Sequence, residues 1–304
     1  MFNQVFFSLF AGIDDSDISD LLSECSETSY MSDIEEDVNS INFDISNGSP
    51  IDINNFKVVH FNVNSILAPD RIDQLTDVCR TLNINVLILS ESKLDQTIPN
   101  NLITIPGYHE PLRHDRARNG RHGGGVLMYI ANNLAFQQRI EFQKDSFEHL
   151  WADIRINTHT IAINAIYRPP NETNEDHKNF LETTEDILRQ LNSYNKADYK
   201  LLTGDFNYGN IYCKAPILDP KPLDSTAPDL FSSYGFNQII DIPTRVTENT
   251  ISLIDLIYVN KLDNIVCHGT LHKIADHDGV LVSFDISCKK QKLYMIIIKL
   301  IFLV

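Results

Sequence analysis

The chain has 304 residues, 43% of them hydrophobic and 22% charged. That is room for one large sandwich or barrel with tails, and too even a balance for a collagenous, wholly disordered or polytopic membrane protein. The formal charge of -16 speaks against a phosphate-rich partner until its placement is considered. No Lys or Arg precedes Lys57, and Asp14, Asp15, Asp17, Asp20, Glu24, Glu27, Asp33, Glu35, Glu36, Asp37, Asp44 and Asp52 account for twelve of the negative charges, which leaves -4 for the body from Lys57 onward.

Taken in chain order, residues 1–13 are apolar in patches but lack the basic start and small-residue cleavage site of a signal peptide, which disfavours secretion. Residues 14–55 are rich in Asp, Glu, Ser and Asn without a sustained period, so residues 1–55 read as an acidic tail unable to offset its ordering entropy. From Lys57 the texture becomes short runs of Val, Ile and Leu between Gly, Pro and Asn clusters. Strands are predicted at 57–64, 85–90, 125–131, 147–156, 159–167, 199–203, 253–259, 264–270 and 279–286. Helical period appears at 69–82, through Ile72, Leu75, Val78, Cys79 and Leu82, and at 175–192, through Phe180, Leu181, Ile187, Leu188 and Leu191. Many strands and few helices point to two packed sheets flanked by helices over 56–287.

Residues 288–304 read as an apolar, truncated chain end. The run from Leu293 to Val304 is about half the ~20 residues that a membrane crossing needs, so no stable membrane insertion is expected. The five cysteines, Cys25, Cys79, Cys213, Cys267 and Cys288, are odd in number and never in Cys-x-x-Cys spacing. Neither a zinc site nor a disulfide-linked partner is expected, and the reading is a reduced, intracellular protein, nuclear or cytoplasmic.

Several apolar runs end in or enclose one acid: Leu87-Ile88-Leu89-Ser90-Glu91, Leu201-Leu202-Thr203-Gly204-Asp205 and Leu253-Ile254-Asp255-Leu256-Ile257. A carboxylate beside a buried strand is costly unless it is paired or meets a cation, so the repetition suggests a shared metal-binding cleft. His60, Asn62 and Asn64 alternate with Val59, Phe61 and Val63, which puts both asparagines on one face. They could donate amides to an anion or offer a carbonyl oxygen to a metal. His277, in Asp276-His277-Asp278-Gly279 before the last strand, gains weight from Asp255, a buried acid able to orient an imidazole and stabilise its protonated form.

His60-Phe61-Asn62-Val63-Asn64-Ser65, Leu89-Ser90-Glu91-Ser92, Gly123-Gly124-Gly125-Val126, Ile166-Tyr167-Arg168-Pro169-Pro170, Gly204-Asp205-Phe206-Asn207, Pro243-Thr244-Arg245, Ser252-Leu253-Ile254-Asp255 and Ala275-Asp276-His277 follow one another in this order. With them, residues 57–287 resemble the endonuclease/exonuclease/phosphatase superfamily, and within it the endonuclease domains of non-LTR (LINE-type) retrotransposons. The resemblance implies an α+β fold, a four-layer αββα sandwich of two packed mixed β-sheets flanked by helices. It also implies phosphodiester hydrolysis aided by Mg²⁺, with Mn²⁺ a possible substitute. Carried onto this chain, it makes Glu91 the principal metal ligand with Asn64 and Asp276 near the same cation. Asp205 would orient or deprotonate the attacking water, and Asn207 would hold the phosphate and help fix Asp205. His277, aligned by Asp255, would donate to a phosphate oxygen, and Tyr167 and Asn62 would stabilise developing charge.

The sequence departs from the family pattern at Asn64, where relatives often carry Asp, at Ala275, where Ser is usual before Asp-His, and at Ser92-Lys93-Leu94, where Thr-Trp-Leu is more usual. Arg113, Arg116, Arg118 and Arg121 crowd one segment, read either as a contact to a DNA backbone or as a solvated loop. Gly123 to Gly125 lack the following helix of a phosphate loop and read as a tight turn into a strand. Thr244 is a candidate substrate contact. The leading expectation is a metal-dependent endonuclease that nicks DNA, derived from a retrotransposon. A phosphomonoesterase or lipid phosphatase of the same fold and a catalytically inactive relic are the alternatives.

Overall fold

Apolar runs bounded by Gly, Pro and Asn become strands, and the two stretches of helical period become the helices that cover them. The computed structural model describes residues 43–48, 54–116, 123–144, 147–170, 173–208 and 226–286. Strand β1 (Phe43–Gly48) is followed by β2 (Phe56–Asn62), helix α1 (Arg71–Leu82), β3 (Val86–Ser90), β4 (Leu112–His114), β5 (Val126–Ile130), β6 (Ala135–Gln138), β7 (Glu148–Ile156) and β8 (His159–Tyr167). Then come α2 (Asn174–Ser193), β9 (Tyr199–Asp205), α3 (Thr226–Ser233), β10 (Asn237–Gln238), β11 (Arg245–Val246), β12 (Ile251–Ser252), β13 (Asp255–Val259), β14 (Ile265–Leu271) and β15 (Gly279–Phe284).

The strands form two large mixed sheets, ordered β1-β14-β15-β2-β3-β5-β4 and β10-β13-β9-β8-β7-β6, with β11 and β12 as a separate hairpin. Each large sheet holds one parallel pair, β2 with β3 and β8 with β9, and each pair is joined through a helix, α1 or α2. Helix α1 buries Leu75, Cys79 and Leu82. Helix α2 buries Phe180, Thr184, Ile187, Leu188 and Leu191 and starts on a capping box in which Thr173 and Asp176 satisfy each other's backbone amides. The result is the four-layer αββα sandwich, and its central layer is filled by side chains such as Val58, Ile88, Met128, Leu150, Ile163, Leu201 and Val282.

Being covered on both faces, the central strands are buried at every position: β2, β3, β5, β13 and β15 have no exposed residue. Period two therefore separates the inter-sheet face from the helix face and not core from water. The predicted strand at 57–64 ends at Asn62 because Asn64 and Ser65 take positive φ of 44° and 90°. The reading of residues 1–55 as a structureless tail needs one correction. Residues Phe43–Gly48 form β1, which pairs antiparallel with β14 at the sheet edge, backbone hydrogen bonding there overriding an acidic, low-hydropathy composition. Residues 1–42, 49–53 and 288–304 lie outside the described residues. The short edge strands β4 and β6 and helix α3 carry too little periodicity to be read from sequence; β6, Ala135-Phe136-Gln137-Gln138, is exposed at alternate positions. No helix among the described residues is long and apolar enough to cross a membrane.

Candidate active site

Three adjacent strands of the second sheet build one wall of the site by register alone. β8 runs parallel to β9 and sets Tyr167 beside Asp205, and β13 runs antiparallel to β9 and sets Asp255 beside Asp205. All three are buried. Gly204 makes the close approach possible: a Cβ there would lie 1.8 Å from the Ile166 carbonyl oxygen. Just past β9, Asn207 turns the chain with φ of 48°, and its main-chain N–H donates to Asp205 Oδ1 at 3.0 Å. The Asn207 side chain donates to the Arg168 carbonyl at 2.7 Å.

The first sheet supplies the facing wall. Phe56 and Val58 belong to the inter-sheet core, so His60 and Asn62 follow on the same face toward the end of β2. Asn62 ties the sheets together: its Nδ2 donates to Asp205 Oδ2 at 2.9 Å and to Glu91 Oε1 at 3.1 Å. Glu91, the first residue after β3, has a left-handed φ of 53°, and its loop is pinned on both sides. Ser65 N–H donates to the Glu91 carbonyl at 2.8 Å, Ser92 N–H to that of Gly125 at 3.3 Å and Lys93 N–H to that of Gly124 at 2.9 Å. At Gly125 a Cβ would come within 2.4 Å of Ser92 Oγ, so the glycine run gives the Glu91 loop room as well as turning the chain into β5. The Tyr167 hydroxyl donates to Glu91 Oε1 at 3.2 Å, and Asn64 N–H donates to Asn62 Oδ1 at 3.1 Å.

Two histidines face the Asp255 carboxylate. His277 Nδ1 lies 2.9 Å from Asp255 Oδ2. Burial disfavours its charge, but the Asp255 hydrogen bond and the charges of Asp255, Asp205 and Asp276 prevail and push its pKa up to about 9. At neutral pH it is an imidazolium that donates from Nδ1 to Asp255. His60 Nδ1 stands 3.6 Å from Asp255 Oδ1, too far for a hydrogen bond, while its Nε2 is 3.0 Å from Ser90 Oγ. Here burial dominates and, against the pull of Asp255, lowers the pKa to about 4, so His60 is neutral. Burial and then the Asp255 charge hold Asp205 well above the usual carboxylate range, opposed by His277 and the Asn62 hydrogen bond, with Glu91 adding to the rise. Burial, then Glu91 and Asp205, push the Tyr167 phenol upward.

The donor set fits a cation. Asp205, Asp255 and His277 each present a ligand atom within 4.8 Å of the others. Asp255 Oδ1 is buried without a hydrogen-bond partner, and Glu91 and Asp205 share one amide group between them. Three acids in one cleft leave negative charge that a divalent cation would neutralise.

The profile of the Endonuclease/Exonuclease/phosphatase family matches residues 59–277. The chain belongs to this family. Nothing among the curated proteins matches. Among solved structures, the endonuclease domain of TRAS1, a telomere-specific non-LTR retrotransposon, is similar with TM-score 0.57 and 15% identity over 76% of this chain and 98% of that one. The AP endonuclease LMAP from Leishmania major is similar with TM-score 0.62 and 12% identity, over 83% and 98% of the two chains. The mannosyl-6-phosphatase Bt3783 of Bacteroides thetaiotaomicron is similar with TM-score 0.55 and 13% identity, over 75% and 98%. At such identities these likenesses establish the shared fold. Family membership and the acid–histidine cluster together make the cleft a hydrolase site of the metal-dependent kind.

Of the residues the sequence singles out, Asn62, Glu91, Tyr167, Asp205, Asp255 and His277 come together in the cleft. Asn207 reaches Asp205 by its main chain, as above. Asn64 and Asp276 lie at the exposed rim, where Asp276 Oδ2 is 3.9 Å from His277 Nε2 and 3.4 Å from Arg245 Nη2.

Of the arginine segment, the two described members, Arg113 and Arg116, are engaged within the protein. Arg113 spends its guanidinium on Asp115 Oδ2 at 2.6 Å, Asn100 Oδ1 at 2.9 Å and the carbonyls of Ile98 and Asp95 at 2.7 and 3.0 Å. Arg116 pairs with both oxygens of Glu148 and lies 5.5 Å from the Tyr167 ring, a buttress of the site and not its outer grip. Arg118 and Arg121 lie outside the described residues. Thr244 is buried, and its hydroxyl oxygen accepts from the main-chain N–H groups of Ile254 at 3.2 Å and Asp255 at 3.1 Å, so it anchors the start of β13. The structure adds His60 and Lys93 to the site. His60 was legible in its alternation with Asn62, and Lys93 in its departure from the family pattern.

Proposed function

We propose that this chain is a DNA-nicking endonuclease of retrotransposon origin that hydrolyses phosphodiester bonds with Mg²⁺, for which Mn²⁺ can substitute. The observation that carries the reading is the bridge from Glu91 through Asn62 to Asp205, with the His277–Asp255 pair on the other side of the same carboxylate. A desolvated base of raised pKa next to an imidazolium is a pairing suited to activating water against a phosphate.

Asp205, held by Asn62 and by the Asn207 main-chain amide, orients the attacking water and takes its proton. His277, fixed through Nδ1, keeps its Nε2–H free to donate to a phosphate oxygen as charge accumulates. Tyr167 and Asn62 offer further donors at the same place once substrate competes for them, and an Asn207 side chain released from the Arg168 carbonyl would do the same. Glu91, with Asn64 and Asp276, would hold the cation, which when bound supplies positive charge against the phosphate and the leaving oxygen.

The test is incubation of the full chain with supercoiled plasmid in Mg²⁺ or in EDTA, beside phosphate-release assays on a sugar phosphate and a phosphoinositide. Relaxed circles in Mg²⁺ alone are expected. Phosphate release without nicking would replace the reading with a phosphomonoesterase, and a folded protein with neither activity would replace it with an inactive relic.

A further inference from the structure

Lys93 bridges the two loops that carry Asn64 and Glu91. Its backbone is set by a left-handed φ of 55° and by donation of its N–H to the Gly124 carbonyl at 2.9 Å. From there the side chain, 36% exposed, folds back instead of extending into water, as lysines on loops ordinarily do. Its ammonium donates to Asn64 Oδ1 and lies 3.5 Å from Glu91 Oε2. Glu91 Oε1 is already engaged by Asn62 and Tyr167, so Oε2 is the oxygen left for a cation. Asn64 belongs to the loop after β2 and Glu91 to the loop after β3, and the ammonium joins the two.

We propose that Lys93 is a tethered cation that occupies the divalent-metal position of the resting protein and is displaced when the metal binds. This rests on the reading of Glu91 and Asn64 as ligands. An ammonium carries one charge and donates hydrogen bonds; a divalent ion carries two and accepts oxygen ligands, so the same Oε2 and Oδ1 suit either but not both at once. While it is in place, Lys93 keeps Glu91 and Asn64 oriented and offsets the repulsion among Glu91, Asp205 and Asp255. Binding of the metal then requires the Lys93 contacts to break, which lowers apparent affinity. The pair is partly exposed, so the effect is on the order of three- to tenfold.

The test is titration of Mn²⁺ into the metal-free full chain, followed by calorimetry and by electron paramagnetic resonance of the unbound ion, for the wild type, Lys93→Met, Lys93→Arg and Glu91→Gln. Lys93→Met is expected to bind Mn²⁺ three- to tenfold more tightly, to gain a larger melting-temperature rise from the ion, and to melt lower than wild type without it. Lys93→Arg, which keeps the charge, is expected to bind more weakly than Lys93→Met. Equal or weaker binding by Lys93→Met, with Glu91→Gln still impaired, would overturn the role of Lys93 alone. Binding that Glu91→Gln leaves untouched, or no binding by the folded wild type, would overturn the ligand assignment and the Lys93 role with it.

Discussion

In the second sheet, Tyr167, Asp205 and Asp255 stand side by side because three neighbouring strands hold them in register. Across the cleft, Asn64, Glu91 and Lys93 come from loops with positive φ of 44°, 53° and 55°. One wall is built by sheet hydrogen bonds whose geometry admits little adjustment. The other is built by turns held through a few contacts, and there the proposed cation ligands and Lys93 sit. In the proposed mechanism the water-activating Asp205 stands on the rigid wall, while His277 and Asn207 reach the phosphate from loops. The proposed exchange of Lys93 for the metal falls on the turns.

If that division is right, removing chemistry from the rigid wall should have the largest effect. Asp205→Asn preserves shape and one of the two contacts made by the carboxylate, to Asn62 or to the Asn207 amide, but cannot take a proton, and a loss of nicking rate on the order of a thousandfold is expected in single-turnover assays. Retention of most of the rate would return Asp205 to a structural role. Next comes Gly204→Ala, whose Cβ would meet the Ile166 carbonyl; it should cost about 3 kcal/mol or more in urea unfolding, since the backbone of β8 cannot move aside. A smaller loss is expected of Thr244→Val, which leaves the Ile254 and Asp255 amides without an acceptor: about 1–3 kcal/mol of stability, with a fall in turnover if the start of β13 shifts.

The effect that is smallest at neutral pH lies away from the cleft, at His149. Burial, then His114, lowers its pKa from 6.5 to about 3, and its Nε2 accepts from Lys144 N–H at 2.8 Å. A depressed folded-state pKa means that the unfolded chain binds the proton more readily. The stabilisation is complete above pH 6.5 and is lost as pH falls from 6.5 toward 3. His149→Gln should flatten that part of the stability profile by at most one proton, about 1.4 kcal/mol per pH unit, leaving the contribution of neutral His60. An unchanged slope would mean that His149 is not held neutral.

The same division explains what could be read from sequence. Register follows from apolar runs, so Asp205 and Asp255 could be nominated as acids set into strands, and the family motifs carried their roles. The turns were legible as identities only: nothing in Glu91-Ser92-Lys93 says that Lys93 folds back onto Asn64, because that depends on the contact with Gly124. The engagement of Arg113 and Arg116 was hidden for a related reason. Charge density was visible in Arg113 and Arg116, but the carbonyls and the Asp115 and Glu148 carboxylates that absorb it come from local turns and a distant strand. Edge strand β1 was hidden because its pairing with β14 is a property of the partner's open edge more than of its own composition.

The central claim is that Asp205 and the His277–Asp255 pair act as one hydrolytic unit. The most direct measurement is a double-mutant cycle of Asp205→Asn and His277→Ala, read as single-turnover nicking of supercoiled plasmid in Mg²⁺ with folding verified by thermal melting. Each single variant is expected to lose rate on the order of a hundredfold or more, and the double variant to be within about tenfold of the slower single. Losses that multiply in full would show two groups acting independently, and single variants with wild-type rates would remove the site altogether.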